Sequence, residues 1–368
     1  MTLNLPIAPE LLPDTAALLD WYDRHRRRLP WRAEPGEAAD PYAVWLSEIM
    51  LQQTTVATVR GYFDAFMARW PRVTDLAAAS LDEILHAWQG LGYYARARNL
   101  HACAKVVANA HGGVFPDTED GLRALPGIGA YTAAAIAAIA FGRKATVVDG
   151  NVERVMARLF RVATPLPDAK AVLRDLAARL TPHARAGDYA QGVMDLGATV
   201  CTPRRPDCPA CPWRNSCHAR AAGDPESFPR KRAKAPRPTR YGTIFWLECP
   251  DGRVMLRRRP ENGLLGGLVE LPSTPWEEAA LAFRQAQTLA PLCPDSWREL
   301  PGCVVHAFTH FRLELVVAVG TIAVVVEVPG AFWVHPRDFS EHALPTVMKK
   351  VVRHRFGHSA GSGQRAMR

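Results

Sequence analysis

The sequence has no long apolar run. Its longest, from Leu315 to Val326, stops at Glu327, short of the ~20 residues a membrane helix needs, so no bilayer-crossing segment is expected. It opens without the basic stretch and apolar stretch of a secretory signal, and the cytoplasm is the expected compartment. There, eight cysteines are poor candidates for disulfides, and clustered ones are read first as metal ligands. No internal repeat stands out. Acidic residues are the minority charge, 36 against 45 Lys plus Arg, for a net charge of +9, which suits a polyanionic partner.

A chain of 368 residues suits two domains, each burying its own core. Residues 15–220 read as successive helices. "DPYAVWLSEIMLQQT" has Asp40 as N-cap and Pro41 at the first helical position, and Val59, Tyr62, Phe63 and Phe66 continue an apolar stripe. Further helices fit Leu81–Trp88, Arg96–Ala110, Ala130–Phe141, Val152–Phe160 and Lys170–Leu180. "SFPRKRAKAPRPTRY", residues 227–241, has six basic residues, three prolines and no acid. It reads as an extended linker, either a solvated tether or a phosphate-contacting arm, ~35 Å from Arg230 to Arg240 if fully stretched. Beyond it the pattern turns to strands: a hairpin around Pro250-Asp251-Gly252, a helix starting at Pro275, β-rich runs over 303–317 and 321–328, and a last helix after Pro345. The expected fold class is a mainly α N-terminal domain followed by an α+β C-terminal domain.

"LPGIGAYTAAAIAAIAF", residues 125–141, sets Gly127 and Gly129 at the entrance of an alanine-rich helix. Unpaired N–H groups and the helix dipole make such an entrance an anion site. Cys201, Cys208, Cys211 and Cys217 follow C-x6-C-x2-C-x5-C spacing with prolines between, so four thiolates can wrap one compact centre. Zinc and a [4Fe–4S] cluster are the candidates. A single short hook, Cys208 to Cys211, leans toward the cluster, since structural zinc commonly uses two; His218 is a possible substitute ligand. Glu48 has Val44, Trp45 and Leu51 as helical neighbours. A carboxyl on that apolar stripe is either paired or desolvated, and desolvation makes it an acid usable near neutral pH. Asp149, after Val147-Val148 and before a helix, reads by default as an N-cap.

"LPGIG", "VVDGNV" and the cysteine spacing together resemble the helix–hairpin–helix DNA glycosylases that carry an iron–sulfur cluster. "SEIMLQQT" and "LGYYARARNL" resemble, within them, the MutY-type adenine DNA glycosylases. The resemblance implies a helix–hairpin–helix glycosylase domain over 1–225 with the cluster loop at 201–217, a basic linker at 226–240, and a Nudix-like lesion-recognition domain over 241–368. It implies that the glycine hairpin grips a DNA phosphate, that Glu48 protonates adenine N7, and that Asp149 stabilises the oxocarbenium-like sugar. Two carboxyl groups in different protonation states are what glycosidic cleavage requires. Gln53, Thr54, Leu91 and Tyr93 are then expected to enter the base stack, whereas without the family Leu91 and Tyr93 read as loop or core. Arg27, Asn151 and Gln191 match pocket positions.

Relatives resembling endonuclease III carry a lysine after the hairpin, whose amine forms a Schiff base with the sugar. Here that position is Tyr131, and no lysine lies between Lys105 and Lys144, so water is the expected nucleophile. The C-terminal domain lacks the glutamate-rich core of a Nudix pyrophosphatase, which implies recognition without hydrolysis. In it "AFTHF", with Phe308, Thr309 and His310, matches the family's Phe-Ser-His reading loop with threonine for serine; an ordinary half-buried strand is the other reading. The expectation is therefore a monomeric, monofunctional glycosylase with a [4Fe–4S] cluster, working near the bacterial nucleoid on duplex DNA that holds adenine opposite 8-oxoguanine or guanine. Its rivals are an endonuclease III-like lyase and a non-catalytic iron–sulfur DNA-binding or redox protein.

Overall fold

The structure, a computed structural model, describes residues 12–232, 236–261 and 263–362. Along the helical part run α1 (Thr15–His25), α2 (Pro41–Leu51), α3 (Val56–Arg69), α4 (Val73–Ala78), α5 (Leu81–Ala87), α6 (Ala95–Ala110), α7 (Glu119–Arg123), α8 (Ala130–Phe141), α9 (Gly150–Leu159), α10 (Lys170–Leu180), α11 (Ala186–Thr199) and α12 (His218–Ala221). There follow β1 (Thr239–Glu248), β2 (Val254–Arg258), β3 (Val269–Glu270), α13 (Phe283–Gln287), β4 (Trp297–Glu299), β5 (Val304–Ala307), β6 (Arg312–Thr321), β7 (Ala331–Val334) and α14 (Thr346–Ser362). Within the described residues the chain forms two compact units, residues 12–79 with 99–232, and residues 80–98 with 236–362.

In the first unit α8 is buried on every side, with Ala133 through Ala138 at most 1% exposed, and it packs against α2, α7 and α11. Small side chains let the neighbouring backbones close in: a Cβ on Gly187 of α11 would stand 2.6 Å from the Ala138 carbonyl oxygen. Asp40 caps α2 by accepting from the Tyr42 amide at 2.9 Å, with Pro41 in the first turn as expected. Tyr42 through Met50 of α2 are buried, Glu48 among them.

The first unit also takes up the start of the basic segment. Phe228 is buried, the Leu166 amide donates to the Arg230 carbonyl at 2.8 Å, and Arg232 pairs with Asp168. Residues 226–232 are therefore an anchored arm, where a free extended linker was expected, because backbone pairing beside Leu166 and the Phe228 side chain fix them. Residues 233–235 of that linker lie outside the described residues.

The second unit is built on a sheet of order β3-β2-β1-β6-β4, with β5 also on β6 and β7 on β2. β1 and β6 pair in parallel from Thr239↔Arg312 to Glu248↔Thr321, and the other pairings are antiparallel. Val347, Met348 and Val351 of α14 complete the core over Ile244, Leu313 and Leu315. The hairpin at Pro250-Asp251-Gly252 is present, with Gly252 at φ 81°.

Two expectations fail here. The helix set at Pro275 is confined to Phe283–Gln287, since residues 273 and 277 bridge to β1. Beyond Thr321 the run to 328 leaves the sheet, and the edge partner of β2 is Ala331–Val334. Residues 80–98 lie in the second compact unit: Arg258 donates to both Asp82 carboxylate oxygens at 2.7 and 2.8 Å, and Lys349 Nζ to Gln89 Oε1 at 2.6 Å.

Candidate functional site

A cleft of about 780 Å³ opens in the first unit, lined by the end of α2 and the turn after it, by α8, by the start of α9, and by α11. Of the residues singled out from sequence, it gathers Arg27, Glu48, Gln53, Thr54, Tyr131, Asp149, Asn151 and Gln191. They come from five segments spread over some 160 positions, and helix packing alone brings them together.

Glu48 is 7% exposed. Burial drives its carboxyl pKa up to about 7; a hydrogen bond from Tyr131 works against that rise, the Asp149 charge adds to it, and Arg32 opposes it. Such a group is partly protonated at neutral pH and can donate its proton. Tyr131 is held well above its usual range, by burial first and then by the charges of Glu48 and Asp149, so its phenol stays neutral.

Asp149 is the N-cap of α9. Its Oδ1 accepts from the Asn151 and Val152 amides at 2.9 and 2.7 Å, and its Oδ2 from Asn151 Nδ2 at 2.8 Å. The capping role read from sequence and a place on the cleft wall are thus held by one side chain. Asn151 in turn accepts from Arg154 Nη2 at 2.9 Å, while Arg154 Nε donates to the Cys201 carbonyl at 2.7 Å. A Cβ on Gly197 would stand 2.7 Å from Asn151 Cβ, so only glycine lets α11 and α9 meet there.

Sequence reasoning missed Arg32, Asp195, Glu153 and Lys170. Arg32 lines the cleft beside Arg27, and both bind the Asp195 carboxylate, which has no exposed surface. The available signal was a charged residue one helical turn after Gln191, between Met194 and Leu196. Glu153 and Lys170 pair at 3.6 Å on the cleft rim.

The Gly127–Gly129 turn stands at the entrance of α8. Gly127 has φ 74°, and a Cβ on it would meet Asn99 Cβ at 2.5 Å. Gly129 is the N-cap of α8, without a side chain to bond the first amides, and a Cβ there would meet nothing within 4 Å. The helix entrance is thus left without a side-chain cap and with free space at Gly129.

Cys201, Cys208, Cys211 and Cys217 carry free thiols and line one small cavity with Arg158, Pro206 and Arg220. His218 does not line it. Among the described residues no three His, Cys, Asp or Glu converge as ligands of a single metal ion. Four soft donors around a shared space suit a thiolate-held cluster in kind. Arg158, 2% exposed, binds the loop from inside. It donates to the Thr202, Pro203 and Phe228 carbonyls at 2.7, 3.0 and 3.1 Å and to Cys201 Sγ at 3.3 Å.

The remaining sequence candidates belong to the second unit. Leu91 is buried, whereas Tyr93 is 47% exposed at φ 48°. The Arg96 guanidinium lies between the Trp88 and Tyr93 rings and donates to the Leu91 carbonyl at 2.9 Å. Phe308, Thr309 and His310 form the turn between β5 and β6, closed by the Phe308 amide on the Phe311 carbonyl at 2.9 Å, so the half-buried strand reading does not hold. The Phe308 ring packs on His306, Phe311 and Trp276, while Thr309 and His310 are exposed at the tip. The Tyr93 and Thr309 hydroxyls are hydrogen-bonded.

Residues 46–182 match the HhH-GPD superfamily base excision DNA repair protein model, and residues 243–354 match the NUDIX domain. By class, then, this is a base-excision DNA repair protein with a Nudix-type domain attached. It is 38% identical over 408 residues to the Homo sapiens adenine DNA glycosylase, covering 94% of this chain and 74% of that one. To the Buchnera aphidicola adenine DNA glycosylase it is 31% identical over 301 residues, covering 81% and 83%. The structure of a thermostable thymine-DNA glycosylase matches with a TM-score of 0.51 at 33% identity, over 56% of this chain and 95% of that one. The chain belongs to the adenine DNA glycosylase family and is an enzyme of base excision repair.

Proposed function

We propose that this glycosylase excises adenine paired with 8-oxoguanine or guanine in duplex DNA, by hydrolysis and without cutting the strand. The observation that carries the reading is the pairing, in one cleft, of a buried carboxyl titrating at about 7, Glu48, with a carboxylate held open by three donors, Asp149. Adenine is a poor leaving group until a ring nitrogen is protonated. Glu48 delivers that proton to N7, and Asp149 faces the positive charge that develops on the sugar as the bond breaks. Water then adds to the sugar, since Tyr131 offers no amine and the rim ammonium of Lys170 is paired with Glu153.

Extruding the mispaired adenine costs a few kcal/mol. Gln53, Thr54, Leu91 and Tyr93 serve to fill the stack, and the Gly127–Gly129 amides to hold a phosphate. Arg27, Asn151 and Gln191 line the space for the base. Thr309 and His310, exposed on a rigid aromatic base, suit reading of the opposite lesion. Cys201, Cys208, Cys211 and Cys217 would hold a [4Fe–4S] cluster, whose contribution is to pin the loop that Arg158 grips. The enzyme acts as a monomer in the cytoplasm.

The test is strand analysis of duplexes carrying adenine opposite 8-oxoguanine, adenine opposite guanine, or thymine glycol. Breaks in the two adenine duplexes that appear only after alkali, with little borohydride trapping, are expected. Cleavage of the thymine glycol duplex without alkali, or efficient trapping on a lysine, would overturn the reading.

A further inference from the structure

Arg27 and Arg32 approach the cleft from the segment between α1 and α2, and both are held from behind by Asp195 of α11. Asp195 Oδ1 accepts from Arg27 Nε at 2.6 Å and Arg32 Nη2 at 2.8 Å; Oδ2 accepts from Arg32 Nη1 at 2.7 Å and the Arg27 amide at 3.0 Å. Arg32 Nη1 also reaches the Arg27 carbonyl at 3.2 Å. A carboxylate with no exposed surface is stable only if its lone pairs are met this completely. Its two-pronged hold on Arg32 fixes the plane of the guanidinium as well as its position. Two cations against one anion leave a net positive charge on this wall of the cleft.

Four elements face Glu48 with charged or titratable groups. Tyr131 comes from α8, Asp149 from the cap of α9, and Arg32 from the segment between α1 and α2; Asp195 from α11 stands behind Arg32. Burial and Asp149 favour the protonated carboxyl, while Tyr131 and then the Arg32 cation oppose them; a cation at a set place thus helps to keep the acid from becoming too weak, because general acids work best with a pKa near the working pH.

We propose that Asp195 is a positioning residue for base excision: it fixes the Arg32 guanidinium on the wall of the cleft that Glu48 also lines, and thereby tunes the strength of that acid. The proposal rests on Glu48 being the acid. The sign follows from charge: a fixed cation favours the carboxylate, so releasing it raises the Glu48 pKa and moves the alkaline fall of the rate to higher pH. A purely structural Asp195 would change stability and leave that fall where it is.

The experiment is the pH profile of single-turnover adenine excision for the full-length enzyme, Asp195→Asn, Arg32→Gln, their double variant, Asp195→Glu and Glu48→Gln, with folding checked by circular dichroism. Asp195→Asn and Arg32→Gln should each move the alkaline limb upward and slow the plateau by about 10-fold, as misplacement of a reacting group does. The double variant should move it no further than either single, and Asp195→Glu should return the limb toward the original. An unmoved limb in Arg32→Gln, or in folded Asp195→Asn, overturns the proposal, as do additive shifts in the double variant. If Asp195→Asn does not fold, Arg32→Gln against Asp195→Glu decides it: the limb must move in the first and stay in the second. A limb that persists in the residual activity of Glu48→Gln is a different result, and means that Glu48 is not the acid.

Discussion

Tyr131 lines the cleft with Glu48, its hydroxyl 3.8 Å from Met194 Sδ, and as a hydrogen-bond donor it works against the rise in the Glu48 pKa that burial causes. Tyr131→Phe removes the donor while keeping the ring. The Glu48 pKa should therefore rise above about 7, and the alkaline limb of single-turnover excision should move to higher pH. A limb at the wild-type position would show that the bond does not control the acid.

Glu48→Gln keeps the shape of the side chain and removes the proton. Excision should fall by at least ~10²-fold while mismatch binding is largely kept. The same variant should change the pH dependence of stability. The folded-state pKa of about 7 lies above the ordinary value of 4.5, so between those values the native state binds more protons than the unfolded one, and stability falls as pH rises. Relative to wild type, Glu48→Gln should gain nothing from this source at pH 4 and as much as about 3 kcal/mol at pH 8. Urea unfolding at the two pH values measures it, and an equal difference at both would contradict it.

Gly127 and Gly129 should respond differently to alanine. At Gly127 the positive φ and the Asn99 contact predict a loss of about 2–4 kcal/mol in unfolding free energy. At Gly129 the backbone is extended and the space is free, so stability should hold. There the added methyl stands in the open helix entrance, and duplex affinity should drop instead. Paired unfolding and fluorescence-anisotropy measurements separate the two effects.

The cysteine loop should hold about four irons per chain and colour the protein brown. A colourless, active protein with one zinc would exclude the cluster. Arg158→Met should strand the loop carbonyls that the guanidinium now satisfies, at a cost of about 3 kcal/mol. Reduced iron content should accompany the lower melting temperature.

Thr309→Ala and His310→Ala should leave the fold intact, because both residues are exposed on a turn. Together they should lower discrimination between 8-oxoguanine and guanine opposite the adenine by ~1–3 kcal/mol, the worth of polar contacts to a base or its backbone. Equal rate losses on the two duplexes would indicate general DNA affinity. Point variants suit this question better than truncation, since residues 80–98, with Tyr93 among them, are part of the same compact unit as the sheet.

Local chemistry is what the sequence by itself determined. Apolar spacing placed α8 and α10 to the residue and showed Glu48 on a buried stripe, and a position just before a helix showed Asp149 as a cap, because helix periodicity and capping involve neighbours within four positions. The open turn before α8 was legible for the same reason. Weaker local signals misled: the run after Pro275 and the valines up to Val326 have the right composition for a helix and a strand, but partner strands chose otherwise.

Only the tertiary structure decided what surrounds the carboxyl groups. That Arg32 should counter Glu48, that Asp195 should hold two arginines from 163 and 168 positions away, and that residues 80–98 should fall in one compact unit with the sheet all depend on contacts across the chain. Charge pairing between distant segments leaves no period in a sequence. It arises when packing excludes water and every buried charge must find a partner.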